Sequence, residues 1–317
     1  MWGRPKNVNV NNFDIYTPAL TSCRMNTAGL SLTELNMENS ITSIVATIIT
    51  LLTVFAVEAG TRAVIEVQNI EGDNVEKHFE IFTFDEQRFR IDFVGEDQKI
   101  TDETSYIMTV NGGENWVMGD KPKDRFYCSA VKTEEFFKNL GGQVTYAIDR
   151  FNVKADSPTV KQVLEEPGPD MLGYKTTHVQ LQTDARAYAW FLFFKFEYAV
   201  KIVSDMWYTT DVEIHPIRKK WLSALTKSGN SIIDDMFGDI TSKLPGPVLK
   251  KEVVMDITNV RKKNVKTEKQ LTKVTSVEDI MPGELDKRFK LPECEVMDDD
   301  EVQEKGKALF SAGKIML

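Results

Sequence analysis

The chain has 317 residues, 42% of them hydrophobic and 27% charged, the proportions of an ordinary soluble protein of one large or two small domains. A net charge of -9 and a pI near 5.1 exclude a dedicated nucleic-acid binder, which gathers Lys and Arg to attract phosphate. Three cysteines are too few for a disulfide scaffold and lack the spacing of metal ligands.

In chain order, residues 1–36 are polar and aperiodic and read as an unstructured N-terminal extension, with Met37 the working start. Ile41 to Val57 carries no charge and leads to Val57-Glu58-Ala59 before Gly60. Small residues at the last and third-last positions suit signal peptidase, so 37–59 is expected to be a cleaved signal peptide. An uncleaved anchor and a buried helix are the other readings, since no Lys or Arg lies between Met37 and the apolar run. The run is short of the roughly 20 residues of a spanning helix and contains four Thr and one Ser. No lipobox cysteine follows it. The expected product is periplasmic or secreted, in a bacterial envelope, with no permanent membrane span.

From Thr61 to Tyr127 the pattern has a period of two. Phe89, Ile91 and Phe93 alternate with Arg88, Arg90 and Asp92, and Ala63, Ile65 and Val67 alternate with Arg62, Glu66 and Gln68. Asn111-Gly112-Gly113 supplies the positive φ angles of a tight hairpin. An antiparallel meander is expected.

A helix is expected next. Thr133 can cap it, Glu134 and Glu135 suit its first turn, and Phe136, Phe137, Leu140, Val144, Ala147 and Ile148 share a face. Gly141-Gly142 predicts a break or kink. Pro158, Pro167, Gly168 and Pro169 mark loops around a strand near Thr159–Glu165. Strand signals return over Tyr174–Thr183, Tyr188–Val200 and Lys201–Thr210, and Trp190–Phe194 reads as a strand segment buried on both faces.

Two helices follow, one with Ile217, Trp221, Leu222 and Leu225 on a face, the other with Ile232, Ile233, Met236, Phe237 and Ile240. Leu244-Pro245-Gly246-Pro247 stops the second. Val253, Met255 and Ile257 pair with Leu271–Val277 in a hairpin, whose turn holds the solvated basic run Arg261-Lys262-Lys263. Met281-Pro282-Gly283 closes the sheet region, and Asp298–Glu301 opens an acidic tail over 298–317. One domain over 60–297 is the economical reading: α+β, a curved antiparallel sheet with helices on its concave side.

Leu172-Gly173-Tyr174-Lys175, Leu244–Asp256 (LPGPVLKKEVVMD), Val274–Glu278 (VTSVE) and Phe289-Lys290-Leu291-Pro292 give the chain a further character. By these segments and by element order it resembles the LolA-like superfamily of periplasmic lipoprotein carriers. The resemblance implies an unclosed β half-barrel, its hydrophobic cavity lidded by helices and open to an acyl chain. No carrier residue is transferred by position.

No G-x-S-x-G elbow, Walker loop, G-x-G-x-x-G or H-E-x-x-H is present, and His78, His178 and His215 read as structural or solvated. The chain is therefore read as non-catalytic, without metal or cofactor. Phe136, Phe137, Trp190, Phe194, Trp207, Trp221, Met236 and Phe237 are the candidate lining of an apolar cavity for a hydrophobic small molecule or acyl chain. The same residues equally suit a filled core, which would leave an envelope protein that binds a protein partner. Cys128 and Cys294 form a disulfide if their Cα atoms lie roughly 4.4–6.8 Å apart, and are otherwise two thiols.

Overall fold

A computed structural model describes residues 60–290, apart from 103, 111, 121–126, 136–137, 139–140, 143–144, 146–152 and 192–193. The expected extension (1–36), signal peptide (37–59), acidic tail (298–317) and Cys294 lie outside the described residues, as do Phe136 and Phe137.

Twelve strands form one antiparallel sheet: β1 (Thr61–Glu71), β2 (Asn74–Phe84), β3 (Phe89–Val94), β4 (Tyr106–Val110), β5 (Asn115–Asp120), β6 (Tyr127–Lys132), β7 (Val153–Ala155), β8 (Thr159–Pro167), β9 (Thr177–Phe191), β10 (Phe194–Tyr208), β11 (Val248–Asn259) and β12 (Asn264–Asp279). Their order is β6-β5-β4-β3-β2-β1-β12-β11-β10-β9-β7, with β8 also on β9. β1 to β6 are the expected meander. Both ends of the chain's sheet meet in the middle, where β1 pairs β12 from Thr61↔Asp279 to Glu71↔Glu268. Among the described residues β6 and β7 do not pair, so the curved sheet stays unclosed. The fold is α+β, a half-barrel with helices over its concave face.

Residues directly opposite on a ladder point to the same side. The registers Ala63↔Phe82, Ile65↔Glu80, Phe82↔Ile91 and Ile65↔Val274 therefore define one inner face. Helices α1 (Pro216–Leu225) and α2 (Ser231–Ser242) cover it. Pro216 at the first position and the ring of His215, which accepts from Ile217 N–H, start α1. Asn230 caps α2 by accepting from Ile232 and Ile233. Ile217, Trp221, Leu225, Ile233 and Phe237 then pack on Ile65, Phe82, Phe89 and Val274 in the main core. Trp221 meets Phe89 edge-on at 4.7 Å between ring centres. Each fully enclosed side chain of this size contributes about 1.5–3 kcal/mol.

The apolar inner face continues through Val253, Met255 and Ile257 to Tyr198, Val200 and Ile202. It ends on Val179, Leu181 and Met206, beneath Ile240 and Leu244. Two smaller clusters lie on the outer face. One holds Val64, Phe79, Ile81 and Val94. The other sets Tyr106, Met108 and Val117 under Leu285 and Phe289, carried on and beside a short helix, α3 (Pro282–Arg288). Met281-Pro282-Gly283 thus opens a helix where the sequence reading placed only a sheet closure.

One further expectation changes. Trp190–Phe194 does not lie in one strand: β9 ends at Phe191, β10 begins at Phe194, and these two residues pair. Gly141 and Gly142 are themselves helical, as are the other described residues of 133–145. A Cβ on Gly141 would lie 2.2 Å from the Ser228 carbonyl oxygen, and Asn230 donates to Thr145 Oγ1 at 3.0 Å. Gly141 is there for close approach to the α1–α2 turn. Thr133 donates its hydroxyl to the Gly113 carbonyl. Gly112 and Gly113 hold the expected positive φ angles, 64° and 81°.

Candidate functional site

Among the described residues, several expected ones meet on the inner face between sheet and helices. Trp221 and Phe237 are fully enclosed, and Met236 packs against the same core from α2. Trp207 does not join them. Its neighbour Met206 lies opposite Lys251 and Val179 and faces inward, so strand alternation turns Trp207 to the outer face. Trp190 and Phe194 sit at the far end of the β9–β10 hairpin, opposite Lys195 and Phe191 in register. Cys128 lies on β6 opposite Gly119, and its expected partner is outside the described residues.

Trp207 belongs to a separate outer cluster. Its ring stacks on His178 at 4.6 Å and 7° between planes, and Lys250 Nζ stands over it at 4.3 Å. His178 bridges two carboxylates, with Nε2 2.8 Å from Asp205 and Nδ1 3.2 Å from Glu166. Among the described residues no group of three or more His, Cys, Asp or Glu is arranged to hold a metal. A cleft of about 250 Å³ opens elsewhere, lined by Leu172, Tyr174, Val277, Glu278 and Asp279. It contains none of the expected lining residues.

The sequence reading missed the charges on the inner face. Glu80, Arg218 and Lys251 are 3%, 1% and 0% exposed. Arg218 lies in the first turn of α1, three residues before Trp221, with its guanidinium 5.6 Å from that ring centre. Neither of its terminal nitrogens has a hydrogen-bond partner. Burial pushes Arg218 down to about 9, with Glu80 opposing the shift, so it stays a cation at neutral pH. Burial pushes Lys251 well below its ordinary value; Glu80 opposes this and Arg218 adds to it. A signal did exist. Val253, Met255 and Ile257 extended back by two reach Lys251, and the α1 face of Trp221 and Leu225 includes Arg218.

His215, read as structural or solvated, is buried at the start of α1. Its Nδ1 accepts from Ile217 N–H at 3.2 Å, so Nε2 carries the proton and donates to the Asp85 carbonyl at 2.7 Å. Burial holds its pKa below the ordinary histidine value, and the Asp85 carbonyl and carboxylate oppose that shift. The ring is the neutral tautomer that locks α1 onto the β2–β3 turn.

No protein-family model matches the sequence, and no curated protein matches it. Among solved structures, the chain is similar to PNGF-II in space group C2 at TM-score 0.33 and 15% identity, over 78% of this chain and 33% of that one. The P21 form of PNGF-II gives TM-score 0.29 and 14% identity, over 75% and 31%. The chain thus spans about a third of the length of PNGF-II. A LolA superfamily protein from Nitrosomonas europaea is similar at TM-score 0.25 and 7% identity, over 75% of this chain and 94% of that one. A Vibrio parahaemolyticus domain described as outer membrane lipoprotein-sorting gives TM-score 0.24 and 7% identity, over 73% and 90%. These are distant, fold-level likenesses.

Proposed function

We propose that this protein is an exported, non-catalytic carrier or sensor that holds a lipid-like ligand between the concave face of its sheet and the helices above it. In this reading 37–59 is a cleaved signal, 60–297 is one domain, and the site of action is the bacterial envelope. One observation carries the proposal: an apolar inner face runs from Phe89 on β3 to Leu181 on β9 beneath α1 and α2. Burial of each CH₂ contributes about 0.8 kcal/mol, so an eight-carbon chain gains roughly 6 kcal/mol before the cost of association. Native mass spectrometry of protein purified gently from the envelope tests it. Co-purifying acyl species are expected. A bare chain that also fails to bind a fluorescent apolar probe after delipidation defeats the proposal.

A second reading rests on Trp221 and Phe237, which are fully enclosed by protein side chains. In that reading the core is filled, and the protein binds an envelope partner through exposed strand edges such as β8, where Val163 and Leu164 face solvent. Partner capture by the wild type, lost when Val163 is changed to Lys, together with no acyl species, favours it.

A further inference from the structure

Among the described residues, the apolar inner face carries a charged island. Lys251 on β11 lies directly opposite Thr272 on β12, and Thr272 lies opposite Val67 on β1. In the next row Val274 lies opposite Ile65, and Ile65 opposite Glu80 on β2. Lys251 and Glu80 therefore rise from strands three apart, about 14 Å on a flat sheet, and converge across the curved interior. Arg218 reaches the same region from the roof: its guanidinium lies 5.6 Å from the Trp221 ring, which packs in the main core with Ile65, the register partner of Glu80, and its charge acts on both Glu80 and Lys251. The surroundings are Ile65, Trp221, Phe237 and Val274, all in the main core. Glu80 is approached by His78 Nε2 at 3.8 Å, and His78 is the half-buried residue at the margin of the island.

Two buried basic side chains thus face one buried acidic one. A guanidinium with no hydrogen-bond partner for either terminal nitrogen is strongly unfavourable in such a place, because it has lost water and gained nothing equivalent. The Thr272 hydroxyl beside Lys251 also has no hydrogen-bond partner and is fully buried. What would complete the island is a group with two acceptor oxygens in one plane and a single negative charge.

We propose that the island is a headgroup pocket for the carboxylate of an aliphatic monocarboxylic acid, whose chain lies along the apolar inner face. Arg218 donates to the two oxygens from its two terminal nitrogens, the paired geometry that guanidinium and carboxylate share. Lys251 and Thr272 flank the headgroup, and Glu80 holds the two cations in place. With Lys251 protonated by the arriving anion, the charges of Arg218, Lys251, Glu80 and one carboxylate sum to zero, whereas a phosphate dianion would leave an uncompensated negative charge. The inference rests on the carrier reading given above.

The test is titration of the delipidated full chain with dodecanoate, dodecan-1-ol, acetate and inorganic phosphate, each read by displacement of a fluorescent apolar probe and by calorimetry. Dodecanoate is expected to bind at least tenfold more tightly than dodecan-1-ol, and acetate and phosphate not measurably. In Arg218→Met the tenfold preference should vanish while dodecan-1-ol keeps its wild-type affinity within twofold, and Lys251→Met should lose part of the preference. Equal binding of dodecanoate and dodecan-1-ol by the wild type overturns the headgroup pocket and leaves the carrier reading intact. Failure of both to bind overturns the two together. Binding of phosphate, lost in Arg218→Met and without any for dodecanoate, replaces the carboxylate with a different anion and also overturns the proposal. The wild-type comparison needs no variant, so a substitution that fails to fold leaves the test standing.

Discussion

Two buried side chains in and beside α1 have effects that can be measured one residue at a time. His215 is held neutral in the fold, with a pKa below its ordinary value because of burial. Below about pH 6.5 the unfolded chain therefore takes up a proton that the folded chain refuses, and stability falls as pH drops towards the lowered folded value. The slope is at most about 1.4 kcal/mol per pH unit. His215→Asn, which keeps a capping oxygen but does not titrate, is expected to flatten that slope in urea unfolding between pH 7 and 5. Arg218 gives the opposite kind of prediction. Glu80 keeps Lys251 as a counter-charge when the guanidinium is removed, so Arg218→Met should stabilise the ligand-free protein by about 1–3 kcal/mol. A loss of about 3 kcal/mol or more would show that Glu80 depends on Arg218. His215 was read from the sequence as structural or solvated, and its burial as the N-cap of α1 decides for the structural reading. Arg218 went unnoticed because a single charge on a helix is normally solvated.

At the scale of the element, neighbouring glycines separate propensity from packing. A Cβ added to Gly142 would meet nothing within 4 Å, and the residue is exposed, so Gly142→Ala should add up to about 1 kcal/mol through helix propensity. Gly141 lies against the Ser228 carbonyl, so Gly141→Ala should instead lose about 1–3 kcal/mol as the helical segment is forced off the α1–α2 turn. Thermal or urea unfolding of the two variants, side by side, checks the opposite signs. The strands were legible because their period of two is a property of short segments. So were α1 and α2, from the face spacing of Trp221 and Leu225 and of Ile233 and Phe237. The division of Trp190–Phe194 between β9 and β10 was not, because no Gly, Asn or Pro separates Phe191 from Phe194 in the sequence. Helix α3 did carry a signal in Pro282 at its first position, Glu284 in its first turn and Lys287 and Arg288 in its last.

For the whole molecule, the pairing of β1 with β12 joins positions far apart in sequence, and the sheet begins next to the expected cleavage point. Ile280 N–H donates to the Gly60 carbonyl at 2.7 Å, and Gly60 fits tightly against Leu285 and Ile280. If the signal reading holds, N-terminal sequencing of the exported protein should read Gly60-Thr61-Arg62. A start several residues into β1 would contradict it, since that would strip the central ladder.

By itself the sequence determined the local matters: which segments are strands, where the chain turns at Gly112-Gly113, and that two amphipathic helices interrupt the sheet. Periodicity settles these because it depends on residues a few positions apart. Only the tertiary structure decided which face of each strand turns inward, and so sent Met206 to the core and Trp207 to the outside. Only it brought Glu80, Arg218 and Lys251 together, from strands three apart and a helix above them. Burial and charge pairing depend on long-range register and curvature, which no short stretch of sequence contains.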